Sequence, residues 1–254
     1  GLSQDVQIAN GTGDNPADLV GLGLLEKNRV AVSLGTSFNL FQYISNLADL
    51  DRALEMGQVG NLMGSPDGKW MKLICCQNGG LALEALRDKY ILNKEAVERL
   101  ATQGLKGQTY SRYRLRKMLA DDRKKLMSAS KWEIFEGLLG ETKPGNNGAM
   151  MITQNKDETV INIEHTKGRY FSKGITDFRR ANRAQILRAA AEGQIYFLKH
   201  LADVLGLHIK EINLTGGVAK NASIRQIIAD IFDASVHVLQ KGDVWESEPV
   251  SLGM

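Results

Sequence analysis

Cysteine is nearly absent: the 254-residue chain has two, adjacent at Cys75 and Cys76 inside an apolar run. Neighbouring thiols cannot staple a chain of this length, and the spaced partners of a metal site are missing. The pair reads as two free core thiols in a reducing compartment, and the cytoplasm is the expected location. Long apolar runs are missing too; none approaches the roughly 18 residues of a membrane span, and no secretory leader is predicted. Charge of one sign is not in excess. Lys and Arg number 32 against 29 Asp and Glu, and the net +3 is too small to imply a nucleic-acid partner. With 43% apolar and 24% charged residues the composition is not that of a disordered chain. The length suits one large domain or two small ones with a substantial core.

What is present gathers first between Val6 and Ser37. Val6–Ala9 reads as a short strand that breaks at Asn10-Gly-Thr-Gly13. Asn15 and Pro16 then look like the cap and first residue of a helix through Leu22–Leu25, with Gly21 and Gly23 implying close packing. Arg29–Ser33 and Phe38–Ile44 flank Leu34-Gly-Thr-Ser37 and predict a β-hairpin with Thr36 at an exposed tip. A carboxylate, Asp14, thus precedes a hydroxyl-rich glycine turn. A carboxylate accepts protons and such a turn directs backbone N–H groups at phosphate, so phosphoryl transfer is the chemistry suggested. The other reading of Asp14 is a capping residue beside Pro16.

A second hairpin is predicted from Gln58–Met63 and Lys69–Cys76 around Ser65-Pro-Asp-Gly68. Asn78-Gly-Gly80 opens a helix with Leu81, Leu83, Leu86 and Tyr90 inward and Glu84, Arg87 and Asp88 outward. A polar helical stretch continues to about Leu139. Its basic part, Arg112–Lys131, carries Tyr113, Leu115, Met118, Leu119, Leu126 and Met127 at helical spacing, which favours a solvated helix face over a nucleic-acid patch. Gly140–Gly148 is a cluster of breakers, a surface turn or a functional loop, before a strand at Ala149–Ile152. Thr159–Ile163 reads as a further strand and Gly168–Gly174 as loop.

Asn182–Leu205 gives the longest helical signal, stopping at Gly206. Gly193 within it costs about 1 kcal/mol relative to Ala unless another backbone must approach there. Ile212–Thr215 is strand-like and runs through Gly216-Gly217 into a helix carrying Ile224, Ile227, Ile228, Ile231 and Phe232. Two glycines let a base or ribose approach the backbone; equally, this is an ordinary turn with Asn221 as N-cap. Ser235–Leu239 is the last predicted strand. A helix starting at Pro249 and stopping at Met254 suggests part of a longer protein.

Four of these segments together resemble the carboxy-terminal half of the FGGY carbohydrate kinases, most closely the xylulokinase branch. Gly11-Thr-Gly-Asp-Asn-Pro-Ala17 is similar to the family's catalytic-aspartate segment, and Val32-Ser-Leu-Gly-Thr-Ser37 to its phosphate hairpin. Arg183-Ala-Gln-Ile-Leu-Arg-Ala-Ala-Ala-Glu-Gly193 is similar to its long-helix signature, and Thr215-Gly-Gly-Val-Ala-Lys-Asn221 to its adenosine motif.

The resemblance implies an α/β fold of the actin-like ATPase or ribonuclease H-like class, a mixed sheet flanked by helices. It implies that residues 1–254 form the ATP-binding C-terminal domain with a helical insertion at about 90–140, and that an N-terminal sugar-binding domain lies outside this chain. The implied reaction is ATP-dependent phosphorylation of a ketopentose, D-xylulose to D-xylulose 5-phosphate; the alternatives are ribulose, gluconate or glycerol as acceptor, or a nucleotide-binding module without activity. Asp14 matches the general base. Gly35 and Thr36 match positions at the phosphates, Gly216, Gly217 and Asn221 positions around the adenosine, and Gly13 is a further cofactor-binding candidate. Asn78, Gly79 and the Gly145–Gly148 loop are further candidates on the nucleotide side, where the loop departs from many bacterial relatives. Magnesium would arrive with the nucleotide, with no protein ligands assigned to it. Partners would be the sugar, ATP, the missing domain and, as the resemblance allows, a second copy in a homodimer; neither nucleic acid nor membrane is expected.

Overall fold

A computed structural model describes residues 11–24, 29–46, 60–154, 157–158, 169–171 and 181–238, with only the backbone of 169–171. The strand expectations at Val6–Ala9 and Thr159–Ile163, and the helix expected from Pro249, lie outside these residues.

The core of the fold is a six-stranded sheet in the order β3-β4-β2-β1-β7-β8. Its centre is the expected hairpin, β1 (Arg29–Leu34) and β2 (Phe38–Ile44), closed by the Leu34↔Phe38 pair. β3 (Asn61–Gly64) and β4 (Trp70–Cys76) form the second hairpin, with the Gly68 N–H donating to Ser65 O at 3.0 Å as a Pro-Asp-Gly turn requires. β4 joins β2 antiparallel, while β7 (Glu211–Thr215) joins β1 in parallel and β8 (Ser235–Val238) joins β7 in parallel. The sheet is therefore mixed, as expected. Parallel partners need a crossover, and the chain between β4 and β7 supplies it as helices on one face.

That face carries α2 (Gly80–Tyr90), α3 (Asn93–Thr102), α4 (Arg112–Lys117), α5 (Ala120–Gly140), α6 (Arg183–Val204) and, after β7, α7 (Ala222–Phe232). Val30, Val32, Leu34, Leu40 and Ile74 from the sheet pack there against Leu187, Ile195, Leu198, Ile224 and Ile228. The opposite face holds α1 (Asp14–Gly21), whose Leu19, with Leu22 and Leu24 beyond it, closes a smaller cluster over Ala31, Phe41, Met71 and Leu73. β5 (Met150–Ile152) and β6 (Arg169–Phe171) make a separate antiparallel pair against α6.

α6 stops where its sequence predicts: Gly206 at φ +65° ends the helix in the left-handed conformation that glycine adopts without strain. At its start the structure adds a reciprocal capping box between Asn182 and Gln185. The glycine inside the helix is explained by contact: a Cβ on Gly193 would lie 2.0 Å from Met151 O, so β5 could not approach α6 over any larger residue.

Several expectations are corrected. α1 starts two residues early, with Gly13 as N-cap and Asp14 as first residue, and ends at Gly21 instead of running to Leu25. The segment read as loop at 168–174 contains β6. Arg112–Lys131 is two helices, because Met118 and Leu119 between them take ψ of 150° and 146°, outside the helical range, while Ser111 caps the start of the short α4. On α2 the inward and outward assignments partly reverse. Leu81 is half exposed, and Arg87 is 1% exposed because its guanidinium finds Glu84, Asp88 and Ser128 and lies 4.6 Å from the Trp132 ring.

Candidate active site

The β1–β2 turn is the point on which two other glycine loops converge. Gly80 and Leu81, the first residues of α2, donate their N–H groups to Gly35 O at 3.1 Å and Thr36 O at 3.2 Å. The first amides of a helix lack internal partners, and here the carbonyls of the hairpin satisfy two of them. Because those carbonyls are drawn toward α2, the amides of Gly35, Thr36 and Ser37 are left with no acceptor among the described residues. Three unpaired amides beside the exposed hydroxyl of Thr36 form a cradle of the kind that holds phosphate.

The glycines make this docking sterically possible. A Cβ on Gly79 would meet Phe38 N at 2.5 Å, and one on Gly80 would meet Gly35 O at 2.2 Å. Gly216, at φ +91°, closes on Leu34 in the same way, with a Cβ contact of 2.7 Å. Gly79 and Gly216 thus shape the cradle from behind. Gly217 is the contrast: it is exposed and has nothing within 4 Å of a built Cβ, so a ligand can lie against its backbone. Asn221 ends the short 3-10 turn that follows, and its side chain accepts the Ile224 N–H at 3.0 Å, which is the capping role left open by the sequence.

Asn78 is buried and bolted in place. Its backbone N–H and side-chain amide donate to Glu158 Oε1 at 3.0 and 2.7 Å, and the Gln77 N–H donates to Glu158 Oε2 at 2.6 Å. Gln194 Nε2 donates in turn to the carbonyls of Asn78 and Gly79, at 2.7 and 3.0 Å. Burial, helped by the Glu158 charge, pushes the neighbouring Cys76 thiol far up, so it stays protonated.

Three consecutive residues of α6 anchor three segments. Gln194 holds Asn78 and Gly79, Gly193 receives β5, and Glu192 accepts the Gly145 N–H at 3.0 Å. Glu192 is paired in its buried position with Arg188 Nε at 2.7 Å. The loop so held, Gly145–Gly148, runs through four successive positive φ values, +73°, +45°, +55° and +81°, a conformation that glycine and asparagine tolerate. Asn146 Nδ2 donates to Gln185 O at 2.8 Å, fastening the loop's centre.

Asp14 lies apart from these loops, at the exposed start of α1 on the other face of the sheet. Its Oδ1 accepts the Asn15 N–H at 2.8 Å. The strand register places Cys75, Asn39, Ser33 and Thr215 in one row across that face, next to the row Leu73, Phe41, Ala31, Asn213 that α1 covers. The covered row is apolar but for Asn213, which donates to Leu22 O at 3.0 Å; the next is polar throughout.

Sequence reasoning missed Asp18. It is 8% exposed, one turn after Asp14, and its Oδ1 has no hydrogen-bond partner among the described residues. Burial first, and the Asp14 charge second, raise its pKa to about 6. A carboxylate inside the apolar run Ala17-Asp-Leu-Val20 was the available signal. Glu158 and Gln194 had none, since their partners lie about 80 and 115 positions away in sequence. The described residues contain no group of three or more His, Cys, Asp or Glu gathered as a metal site.

Residues 30–254 match the family model described as the FGGY family of carbohydrate kinases, C-terminal domain; the match begins after Asp14. The chain is 29% identical to the xylulose kinase of Rattus norvegicus over 94% of its own length and 37% of that protein's. It is 25% identical to the xylulose kinase of Haemophilus influenzae over 100% and 42%, and 22% identical to the gluconokinase of Bacillus subtilis over 94% and 40%. The chain thus spans about two fifths of the length of these relatives. Among solved structures, the xylulose kinase of Bifidobacterium adolescentis shares its fold, with a TM-score of 0.63 at 22% identity over 96% of this chain and 38% of that one. The actin-like fold of those kinases is the fold class expected from the sequence. The chain belongs to the FGGY family of carbohydrate kinases, whose C-terminal-domain model it matches over residues 30–254.

Proposed function

We propose that the protein to which this domain belongs phosphorylates a ketopentose with ATP, converting D-xylulose to D-xylulose 5-phosphate. The observation that carries the reading is the hairpin whose carbonyls are spent on α2 while the amides of Gly35, Thr36 and Ser37 stay free. Those amides and the Thr36 hydroxyl would hold the ATP phosphates, and Gly13 would approach them from the side of Asp14. The open backbone at Gly217, beside Gly216 and Asn221, would receive the adenosine. Asn78, Gly79 and the Gly145–Gly148 loop would support this side from behind. ATP would supply the transferred phosphoryl group, and Mg2+ arriving with it would offset the charge of its phosphates.

Asp14 would take the proton from the sugar hydroxyl as its oxygen bonds to the γ-phosphorus and the bond to ADP breaks. A carboxylate is a weak base, but orientation suffices once bond formation has acidified the hydroxyl. Most sugar contacts would come from an N-terminal domain outside this chain, which fits its two-fifths coverage of the relatives. Gluconate is the second reading, favoured by the gluconokinase relative.

The test is a coupled assay on the full-length protein across xylulose, ribulose, gluconate and glycerol. Xylulose should give the highest kcat/KM, and Asp14→Asn should lower kcat by at least about a hundredfold with nucleotide affinity kept. Turnover of gluconate alone would move the assignment to the second reading. Phosphorylation of no sugar would leave a nucleotide-binding module.

A further inference from the structure

Away from these loops, the helical insertion encloses a second concavity. α2, α3, α4 and α5 each turn one face toward a space of about 800 Å3. On α5 the lining residues are Ala120, Arg123, Lys124, Met127, Ser128 and Lys131, whose three- and four-residue steps define a single helix face.

The floor of this space is charged but balanced. Arg87 Nη2 lies 2.8 Å from both Glu84 and Asp88, and Lys131 Nζ lies 3.1 Å from Asp88. The walls are not balanced. Lys94, Arg112, Arg116, Arg123 and Lys124 line them against Glu98 alone, and none of these five cations has an ion pair among the described residues. Seven cations against three carboxylates leave a surplus of four, more than the net +3 of the whole chain. Concave walls of low dielectric focus such a field. The N-terminus of the 21-residue α5 adds to it, because Ala120 lines the space and Leu119 offers no side-chain cap.

We propose that this pocket binds a small polyanion of the phosphate-ester class. Its volume is that of a metabolite site, and three wall arginines provide the planar forks that match phosphate oxygens. An extended nucleic acid fits less well, since its bases need free aromatic faces. Tyr110 and Tyr113 do not line the pocket, and Arg114 and Lys117 cover their rings at 5.6 and 4.6 Å. The site is distinct from the nucleotide loops: Arg87 lies seven residues beyond Gly80, about 10 Å along α2.

The experiment is calorimetric titration of the 254-residue chain with inorganic pyrophosphate and with a pentose bisphosphate, with and without saturating ADP. Binding should persist under ADP and weaken at least about tenfold in Arg116→Glu/Arg123→Glu. A thermal melt checks folding; if that variant does not fold, the milder Arg123→Gln/Lys124→Gln should weaken binding in the same direction. The bisphosphate binding more tightly than pyrophosphate supports an ester ligand. The proposal is overturned by competition with ADP, by unchanged affinity in the folded variants, by pyrophosphate binding more tightly than the bisphosphate, or by a single-stranded oligonucleotide outcompeting both.

Discussion

Gly80 gives its N–H to Gly35 O, and the same oxygen stands 2.2 Å from where a Cβ on Gly80 would be. One contact therefore sets both the start of α2 and the direction in which the β1–β2 turn faces.

Gly80→Ala should push the hairpin off α2. Overpacking against backbone costs about 1–3 kcal/mol, since a carbonyl cannot rotate away as a side-chain tip can. The expected outcome is a lower Tm together with weaker ADP binding, read by thermal melt and calorimetry. A melt that falls while ADP affinity holds would separate α2 from the cradle.

Gly193→Ala sets two effects against each other. Helix propensity favours alanine by about 1 kcal/mol, but the methyl would sit 2.0 Å from Met151 O. The collision is larger, so urea unfolding should show net destabilisation of about 1–3 kcal/mol. A gain in stability would mean that β5 can move away from α6 freely.

Asp18→Asn should stabilise the chain above pH 6 and do little near pH 4. The folded pKa of Asp18 is about 6, above its unfolded value near 3.8. The folded state thus holds the proton more tightly, and stability is lost as pH rises from about 4 to 6, then levels off. The full shift corresponds to about 3 kcal/mol, an upper figure for what asparagine recovers. Melts of both proteins at pH 4, 6 and 8 give the test, and parallel curves at all three would refute it.

Glu158→Gln should loosen the Gln77–Gly79 segment. The carboxylate accepts three N–H bonds, and an amide group would turn a donor toward one of them. Bonds to a charged acceptor contribute about 1.5–3 kcal/mol, so a loss of that size is expected. Faster hydrogen exchange at Gln77 and Asn78, measured by mass spectrometry, would locate it.

Local rules carried the reading of the sequence a long way. The turn of the β1–β2 hairpin, the Ser65–Gly68 turn and the Gly206 stop each rest on residues within five positions of one another. Gly193 was legible as a close approach, though not its partner. The errors arose where distant packing overrode local pattern. Arg87 reads as an outward charge until Glu84, Asp88, Ser128 and Trp132 are brought round it. β6 exists because β5 pairs with it, not through its own pattern. At the site, the motif glycines are legible in the sequence, but their division into packing glycines, Gly79 and Gly216, and the open one, Gly217, is set by backbone neighbours distant in sequence.

The amides of the hairpin are fixed in direction before any nucleotide arrives, because Gly80 and Gly216 close on it from two sides. Such preorganisation removes the loop-ordering entropy that binding would otherwise cost. On the proposed function, nucleotide association should therefore resemble docking on a rigid surface, with little entropy lost in the hairpin itself.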